Sequence, residues 1–164
     1  MMGARKREVM RWQWADDIDF ENRMVRLGTL KGGTGSMEYE WLAMNDDLFD
    51  LLKWQYEKRI KSSPHVFCHR DRAHGGDAGM AFVDRRNFVK RLCAKAEVPE
   101  FNYHDLRHTV ARYLNHVQRV GMKSVQAVLR HKRQGTTEVY IGGNYRDTRE
   151  AMKLLEIKNL KEST

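Results

Sequence analysis

The sequence predicts an α+β domain that is mainly α-helical and carries one small three-stranded antiparallel sheet. Three β-favouring segments, separated by turn residues, follow one another within residues 15–44. Most of the chain after them places apolar residues at helical spacing. The length of 164 residues fits one domain with its own hydrophobic core.

Composition and charge narrow the classes of partner. The chain has 30 Lys and Arg residues against 22 Asp and Glu residues, a formal net charge of +8. A basic domain of this size favours a polyanionic partner, with nucleic acid as the first candidate. No apolar run approaches the length of a membrane-spanning helix, and the N-terminal segment lacks the apolar core of a secretory signal. Two cysteines, Cys68 and Cys93, favour reduced thiols in a cytoplasmic protein over a disulfide framework.

The first part of the chain predicts a short helix followed by the sheet. Residues 4–14 predict a helix that leads to Trp14. Two strands follow with a turn at Glu21-Asn22, and residues 32–35 form a glycine-rich turn before a third strand at Tyr39–Met44.

Amphipathic helices are predicted from Asn45 onward. Asn45 or Asp46 caps the first, whose apolar face comprises Leu48, Leu51, Leu52, Tyr56 and Ile60. Val66-Phe67 predicts a short strand, and the inward face of the next helix includes Phe88, Leu92 and Cys93.

Three further helices complete the predicted fold. An apolar helix after His104 carries Leu106, Val110, Tyr113 and Leu114, and a shorter one carries Val125, Val128 and Leu129. A last amphipathic helix spans about residues 148–160. Its apolar stripe either packs on its own domain or docks on a partner.

Two segments combine residue types that suit chemistry on a phosphate. In YHDLRHTVARYL, His104 and Arg107 lie three positions apart on one helix face. Arginine presents a planar fork that suits phosphate, and histidine can carry a proton near neutral pH. In VLRHKRQGTTEVYIG, His131 precedes Tyr140, whose hydroxyl needs positive neighbours and a base to act as a nucleophile.

A third segment, GARKREVMRWQWADDID, places Arg5 near the start of a helix that also carries Glu8. Taken singly, each of the three segments is more typical of surface or packed residues than of a functional site. Their order and spacing together change this interpretation.

The three segments resemble the three conserved boxes of the tyrosine recombinase catalytic domain, in the phage integrase family. The first box matches Gly3, Arg5, Glu8, Trp14 and Asp17-Ile18-Asp19, and the second matches HDLRHT at 104–109. The third matches Leu129, His131, Thr136, Thr137 and Tyr140. The resemblance covers roughly residues 3–155 and implies the fold of the DNA breaking-rejoining enzymes.

The resemblance implies a role for six residues. Arg5 and Arg107 match the two phosphate-clamping arginines, and Tyr140 matches the nucleophile. His104 matches the residue that assists proton transfer, and His131 matches the one that hydrogen-bonds the scissile phosphate. Lys31 matches the β-hairpin lysine that protonates the leaving 5′ oxygen. The family uses no metal or other cofactor, because its arginines supply the positive charge.

The resemblance also implies the reaction and the partners. The expected function is that of a site-specific DNA recombinase (integrase) catalytic domain, which cuts and rejoins DNA through a 3′-phosphotyrosine intermediate. Double-stranded DNA is the expected partner, and the C-terminal helix is expected to join protomers into a tetramer in the synaptic complex. The expected location is the cytoplasm, at the nucleoid. Residues 1–164 form one catalytic domain, expected to be truncated at its N-terminus and to lack a separate N-terminal DNA-binding domain.

Other interpretations of the same residues stay open. The chain could be a DNA-binding remnant of a recombinase without strand transfer, or a helical nucleic-acid-binding module that matches the boxes by chance. His65, Cys68, His69 and His74 are zinc-ligand types, but their spacing fits no standard zinc pattern. Arg130 stands where the family usually has glycine, which suits an unusual backbone angle, whereas an arginine could add a phosphate contact.

Overall fold

Two short helices lead into the sheet, where the sequence predicts one helix over 4–14. The computed structural model describes residues 2–30, 35–71, 77–82, 87–118, 120, 122–130 and 152–156. Helix α1 spans Lys6–Met10 and α2 spans Trp14–Asp17. The helix is interrupted at Trp12, which is buried in the core and donates its indole N–H to the Arg26 carbonyl at 2.7 Å.

The predicted three-stranded antiparallel sheet is confirmed. Strands β1 (Ile18–Asp19), β2 (Met24–Leu30) and β3 (Met37–Ala43) pair in the order β1-β2-β3. Val25 pairs with Ile18 on one side and with Leu42 on the other. The predicted turn at Glu21-Asn22 is stabilised by Asp19, whose carboxylate accepts hydrogen bonds from the backbone and side chain of Asn22, both at 2.8 Å.

Helix α3 spans Asp46–Glu57 and is capped as predicted at Asn45, whose side-chain oxygen accepts the Leu48 N–H at 3.1 Å. Leu52 is buried, but Leu51 is exposed, so the predicted inward position of Leu51 is wrong. The four-residue spacing from Leu48 to Leu52 follows the buried face of the helix, whereas Leu51 lies one position away from it and is exposed.

The segment after α3 forms isolated bridges where a strand was predicted. Gln13 pairs with His65, and Cys68 pairs with Ala81, while Val66 is buried between the two bridges. The predicted strand at Val66-Phe67 is therefore wrong.

Helix α4 spans Phe88–Ala96 and buries Val89 and Cys93. Phe88 and Leu92 are exposed, so only Cys93 of the predicted inward face is correct. The hydrophobic spacing identified a helix, but the buried stripe runs one position away from the predicted one.

The second half of the core is helical. Helix α5 spans Tyr103–Arg112 and continues into a π-helical turn at Tyr113–Val117, and α6 spans Met122–Leu129. Both predicted helices are confirmed. Leu106, however, is exposed, because Arg107 and Val110 occupy the buried face of α5.

One hydrophobic core joins the sheet to the helices. Its most buried members are Trp12, Val25, Leu27, Leu52, Val66, Val110, Leu114, Val128, Leu129, Met152 and Leu155. Of the last helix predicted over about 148–160, the structure describes residues 152–156, and its helical part ends at Leu154, because Leu155 and Glu156 form a turn. Met152 and Leu155 pack in the core of this same chain. In the described part of the chain, no helix is long and apolar enough to cross a membrane.

Candidate active site

The N-terminal segment of the first box packs directly on helices α5 and α6. Gly3 has a φ of +65°, and a Cβ at this position would lie 2.7 Å from Leu129 Cδ2 and 3.2 Å from Val110 Cγ1. Glycine is required here by both the left-handed backbone and the close approach. This contact places Arg5, two residues later, beside α5, which carries the second box, and the end of α6, which carries Leu129 of the third.

The buried side chain of Arg107 on α5 links the N-terminal segment to the end of α6. Its side chain is buried, with 4% exposed, and it donates hydrogen bonds from Nη1 to the Gly3 carbonyl and from Nη2 to the Leu129 carbonyl. Burial, together with the positive charges of Arg5 and Arg130, lowers the pKa of Arg107 to about 10, although the nearby Glu8 carboxylate acts in the opposite direction. Arg107 therefore stays charged at neutral pH and lies within electrostatic range of two other arginines.

Glu8 accepts hydrogen bonds from three separate segments. Its Oε1 accepts from Arg5 Nη1 and Thr29 Oγ1, both at 2.8 Å. Its Oε2 accepts from the Arg5 backbone N–H at 2.7 Å and from Arg130 Nη2. Each carboxylate oxygen thus accepts two bonds, and Glu8 joins α1, β2 and the end of α6 at one point.

The Glu8 carboxylate is ionised throughout the physiological range. Burial alone would raise the pKa of this carboxyl, since only 4% of the residue is exposed. The hydrogen bonds from Arg5 and the charge of Arg130 outweigh burial and lower the pKa to about 2. A permanent negative charge therefore orients two of the arginines around it.

Arg5, Arg107 and Arg130 are together called the arginine cluster below. Arg5 is the accessible member, with 45% of its side chain exposed, whereas Arg107 and Arg130 are buried. The site thus brings together Arg5 and Arg107 of the predicted residues.

His104 lies at the start of α5, where Asn102 caps the helix by accepting the His104 N–H at 2.7 Å. Its ring is exposed and contacts His108, with ring centroids 4.4 Å apart. Arg107 is three positions along the same helix but buried, so the two residues that were predicted to share a face have different environments.

Three predicted site residues, Lys31, His131 and Tyr140, lie outside the described residues. Among the residues that the structure does describe, no group of three or more His, Cys, Asp or Glu side chains could hold a metal ion. His74, of the considered zinc set, also lies outside the described ranges.

Two further residues of the site, Glu8 and Arg130, are not among the six to which the resemblance assigns a role. Glu8 was part of the first box, and its position three residues after Arg5 is the spacing of a reciprocal helix cap, which could have indicated its role. Arg130 has a φ of +52°, just past the end of α6. No sequence pattern could show that its side chain folds back to Glu8.

Comparison with known proteins agrees with this arrangement. The sequence profile of the phage integrase family matches residues 1–146, which is most of the chain. No curated protein matches it. The family match extends over all three boxes, and Arg107 of the second box donates hydrogen bonds to Gly3 of the first box and to Leu129 of the third. The chain therefore belongs to the phage integrase family, and the predicted α+β fold class is confirmed.

Proposed function

We propose that residues 1–164 are the catalytic domain of a site-specific DNA recombinase, which cuts and rejoins DNA through a 3′-phosphotyrosine intermediate. The observation that carries the proposal is the convergence of Arg5 and Arg107 next to the buried Glu8 carboxylate. These two arginines come from distant parts of the chain, and they are the pair that the family resemblance assigns to the scissile phosphate.

The proposed first step is attack by the Tyr140 hydroxyl oxygen on the phosphorus of one DNA linkage. The bond between phosphorus and the 5′ oxygen breaks as the bond to Tyr140 forms. His104 assists removal of the tyrosine proton, and Lys31 donates a proton to the leaving 5′ oxygen. The product is a 3′-phosphotyrosine and a free 5′ hydroxyl, and attack by a 5′ hydroxyl reverses the step.

Negative charge grows on the non-bridging oxygens as Tyr140 attacks. Arg5, Arg107 and His131 are proposed to donate hydrogen bonds to these oxygens, before and during the reaction. By analogy with an oxyanion hole, the loss of one such donor costs about 3–4 kcal/mol, or 100- to 1000-fold in rate. These side chains would stabilise the negative charge on the phosphate, as a metal ion does in other phosphoryl-transfer enzymes.

The hydrogen bonds of Arg107 support a guanidinium that is already oriented before a phosphate binds. A guanidinium carries five N–H donors, and Arg107 donates one to the Gly3 carbonyl and one to the Leu129 carbonyl. These two bonds fix the plane of the group and leave further donors for a phosphate. Fixed donors need no reorganisation when charge develops, which is the condition for efficient electrostatic stabilisation.

The partner in this proposal is double-stranded DNA, and its location is the cytoplasm at the nucleoid. The net charge of +8 supports such a partner. We also propose a tetramer around two duplexes, joined through the C-terminal helix. Because Met152 and Leu155 pack in their own chain, the proposed contact between protomers is assigned to other residues of the C-terminal segment.

A second function is favoured by the burial of Arg107. If its two backbone bonds are its whole role, the chain is a DNA-binding remnant that keeps the fold without strand transfer. The two functions differ in whether Tyr140 becomes linked to DNA.

The test is to trap a covalent adduct on a nicked suicide duplex, from which the cut strand diffuses away. The recombinase proposal predicts an adduct that disappears in Tyr140→Phe while DNA binding is retained. A folded, DNA-binding chain that forms no adduct supports the remnant. Binding of non-specific duplex that does not weaken with salt contradicts both functions, since each neutralised phosphate contributes about −0.9 to the log–log salt slope.

A further inference from the structure

Arg130 is buried but incompletely paired. Only 5% of its side chain is exposed, and its Nη2 donates to Glu8. Its Nε and Nη1 are shielded from solvent and make no hydrogen bond within the part of the chain that the structure describes. The Glu40 carboxylate is 3.9 Å from Nε, beyond hydrogen-bonding distance and on a largely exposed side chain. Buried donors of a charged group without acceptors are costly, so this side chain favours an additional acceptor.

The charge around Arg130 favours an anion as that acceptor. The arginine cluster places three positive groups around one buried carboxylate, that of Glu8. Arg107 is within electrostatic range of the other two, which both lower its pKa. The buried part of the site therefore carries more positive than negative charge, and an anion between the guanidinium groups would relieve their repulsion.

The backbone at Arg130 shows that this side chain is held in place against a steric preference. Its φ of +52° is left-handed, a conformation that glycine adopts without strain and other residues adopt at a cost. The left-handed residue directly follows α6, where helices commonly end on glycine. Its contact with Glu8 then directs the arginine side chain back into the site.

We propose that Arg130 is a third anion-binding arginine of this site, and that its Nε and Nη1 donate hydrogen bonds to a non-bridging oxygen of a DNA phosphate. This proposal rests on the proposed function, because it takes the ligand to be the DNA backbone. The two nitrogens are shielded as the chain stands, so the groups that cover them must move aside when the phosphate binds.

The test compares two arginines that share the same backbone strain. Arg130→Gly removes the guanidinium and suits the left-handed backbone, so we expect it to fold. Arg23→Gly is the matched control: Arg23 has a φ of +56° and pairs with a carboxylate, that of Asp46, at 2.5 Å. Arg23 lies far from the arginine cluster. It directly precedes β2, and Thr29 near the other end of β2 contacts Glu8. At about 3.3 Å per strand residue, Arg23 is about 20 Å from Thr29. Both variants remove one positive charge.

The first readout is the salt dependence of binding to a short non-specific duplex. We expect Arg130→Gly to bind with a log–log slope about 0.9 shallower than the unmodified chain, the change for one lost phosphate contact, and Arg23→Gly to keep the original slope. An unchanged slope for folded Arg130→Gly overturns the proposal, and so does an equal loss in Arg23→Gly.

The second readout is the thermal midpoint in inorganic phosphate against chloride at equal ionic strength. Phosphate stabilises many proteins through exclusion from their surface, and Arg23→Gly measures that general effect. We expect a larger phosphate shift in the unmodified chain than in Arg130→Gly. A phosphate shift that depends on Arg130, together with an unchanged DNA slope, assigns the site to free phosphate and overturns the DNA proposal.

If Arg130→Gly fails to fold, Arg130→Lys replaces it. Lysine keeps one charge for Glu8 but lacks the Nε and Nη1 donors, so we expect a reduced phosphate shift, and a full shift overturns the proposal. A separate result would refute the proposed function. If the salt slope depends on Arg130 but no adduct forms on suicide DNA, the chain binds the DNA phosphate without cutting the strand.

Discussion

The buried guanidinium of Arg107 donates a hydrogen bond to the backbone carbonyl of Gly3, near the start of the family match. A second bond from Arg107 to the Leu129 carbonyl extends the link to the end of α6. One side chain of the second box therefore fixes the backbone next to the first and third boxes. The proposed phosphate clamp and the folding stability therefore depend on the same side chain.

Arg107→Ala is expected to lose both stability and adduct formation. It leaves two carbonyl groups without their partner, at about 1–3 kcal/mol for each one left unsatisfied. Chemical denaturation measures the loss, with Arg112→Ala as the control on an exposed position of the same helix. If Arg107→Ala is as stable as the control, the hydrogen bonds from Arg107 to Gly3 and Leu129 do not stabilise the fold.

Gly3→Ala is expected to destabilise the domain by about 1–3 kcal/mol through crowding, in addition to the backbone cost. The added Cβ would lie 2.7 Å from Leu129 Cδ2, too close for an unshifted core. Gly35→Ala is the control that carries the backbone cost without the crowding, because Gly35 has a similar φ of +68° but no heavy atom within 4 Å of the added Cβ. Thermal unfolding of the two variants should differ clearly, and equal losses would contradict the close approach.

Glu8→Gln is expected to remove a pH-dependent part of the stability. The folded pKa of about 2 lies below the ordinary value of 4.5, so the ionised carboxylate stabilises the fold above pH 4.5. This contribution is lost as the pH falls from 4.5 through about 2. A shift of this size corresponds to about 3 kcal/mol at neutral pH.

Urea denaturation from pH 7 to pH 2 measures this difference between Glu8→Gln and the unmodified chain. Glu57→Gln, an exposed position at the end of α3, is the control. The stability gap for Glu8→Gln should close toward pH 2. A gap that stays constant with pH would mean that Glu8 contributes packing and not charge.

Leu155→Ala is expected to destabilise the isolated chain by about 2–5 kcal/mol, the range for truncating a buried leucine. Leu155 has no exposed surface and packs in the core, whereas the adjacent Leu154 is only half-buried. Leu154→Ala is therefore the control, measured by the same denaturation. If Leu155→Ala changes only the assembly on DNA and not the stability of the monomer, this segment docks on a partner and not on its own core.

The sequence allowed the fold class and part of the site to be predicted, for identifiable reasons. Turn residues such as Asn22 and the cap Asn45 act through local hydrogen bonds, so their neighbourhood in the sequence was sufficient. Which apolar residues are buried depends on neighbours far along the chain. For this reason, Leu51 and Leu106 were placed inward although both are exposed.

The same distinction applies to the site. Arg5 and Arg107 could be assigned because their boxes match a family pattern. The bonds from Arg107 to Gly3 and from Arg130 to Glu8 join residues about a hundred positions apart. No local pattern encodes those pairings, whereas the left-handed conformation of Arg130 agrees with the glycine that the family usually has at this position.

The proposed strand transfer is tested most sharply by identifying the amino acid and the DNA end that are joined in the adduct on suicide DNA. Mass spectrometry of the digested adduct gives the modified peptide, and end-labelling of the released strand gives its polarity. The proposed reaction predicts a 3′ phosphate on Tyr140 and a free 5′ hydroxyl on the released strand. A DNA phosphate attached to another residue, or a linkage through the 5′ end, would contradict it.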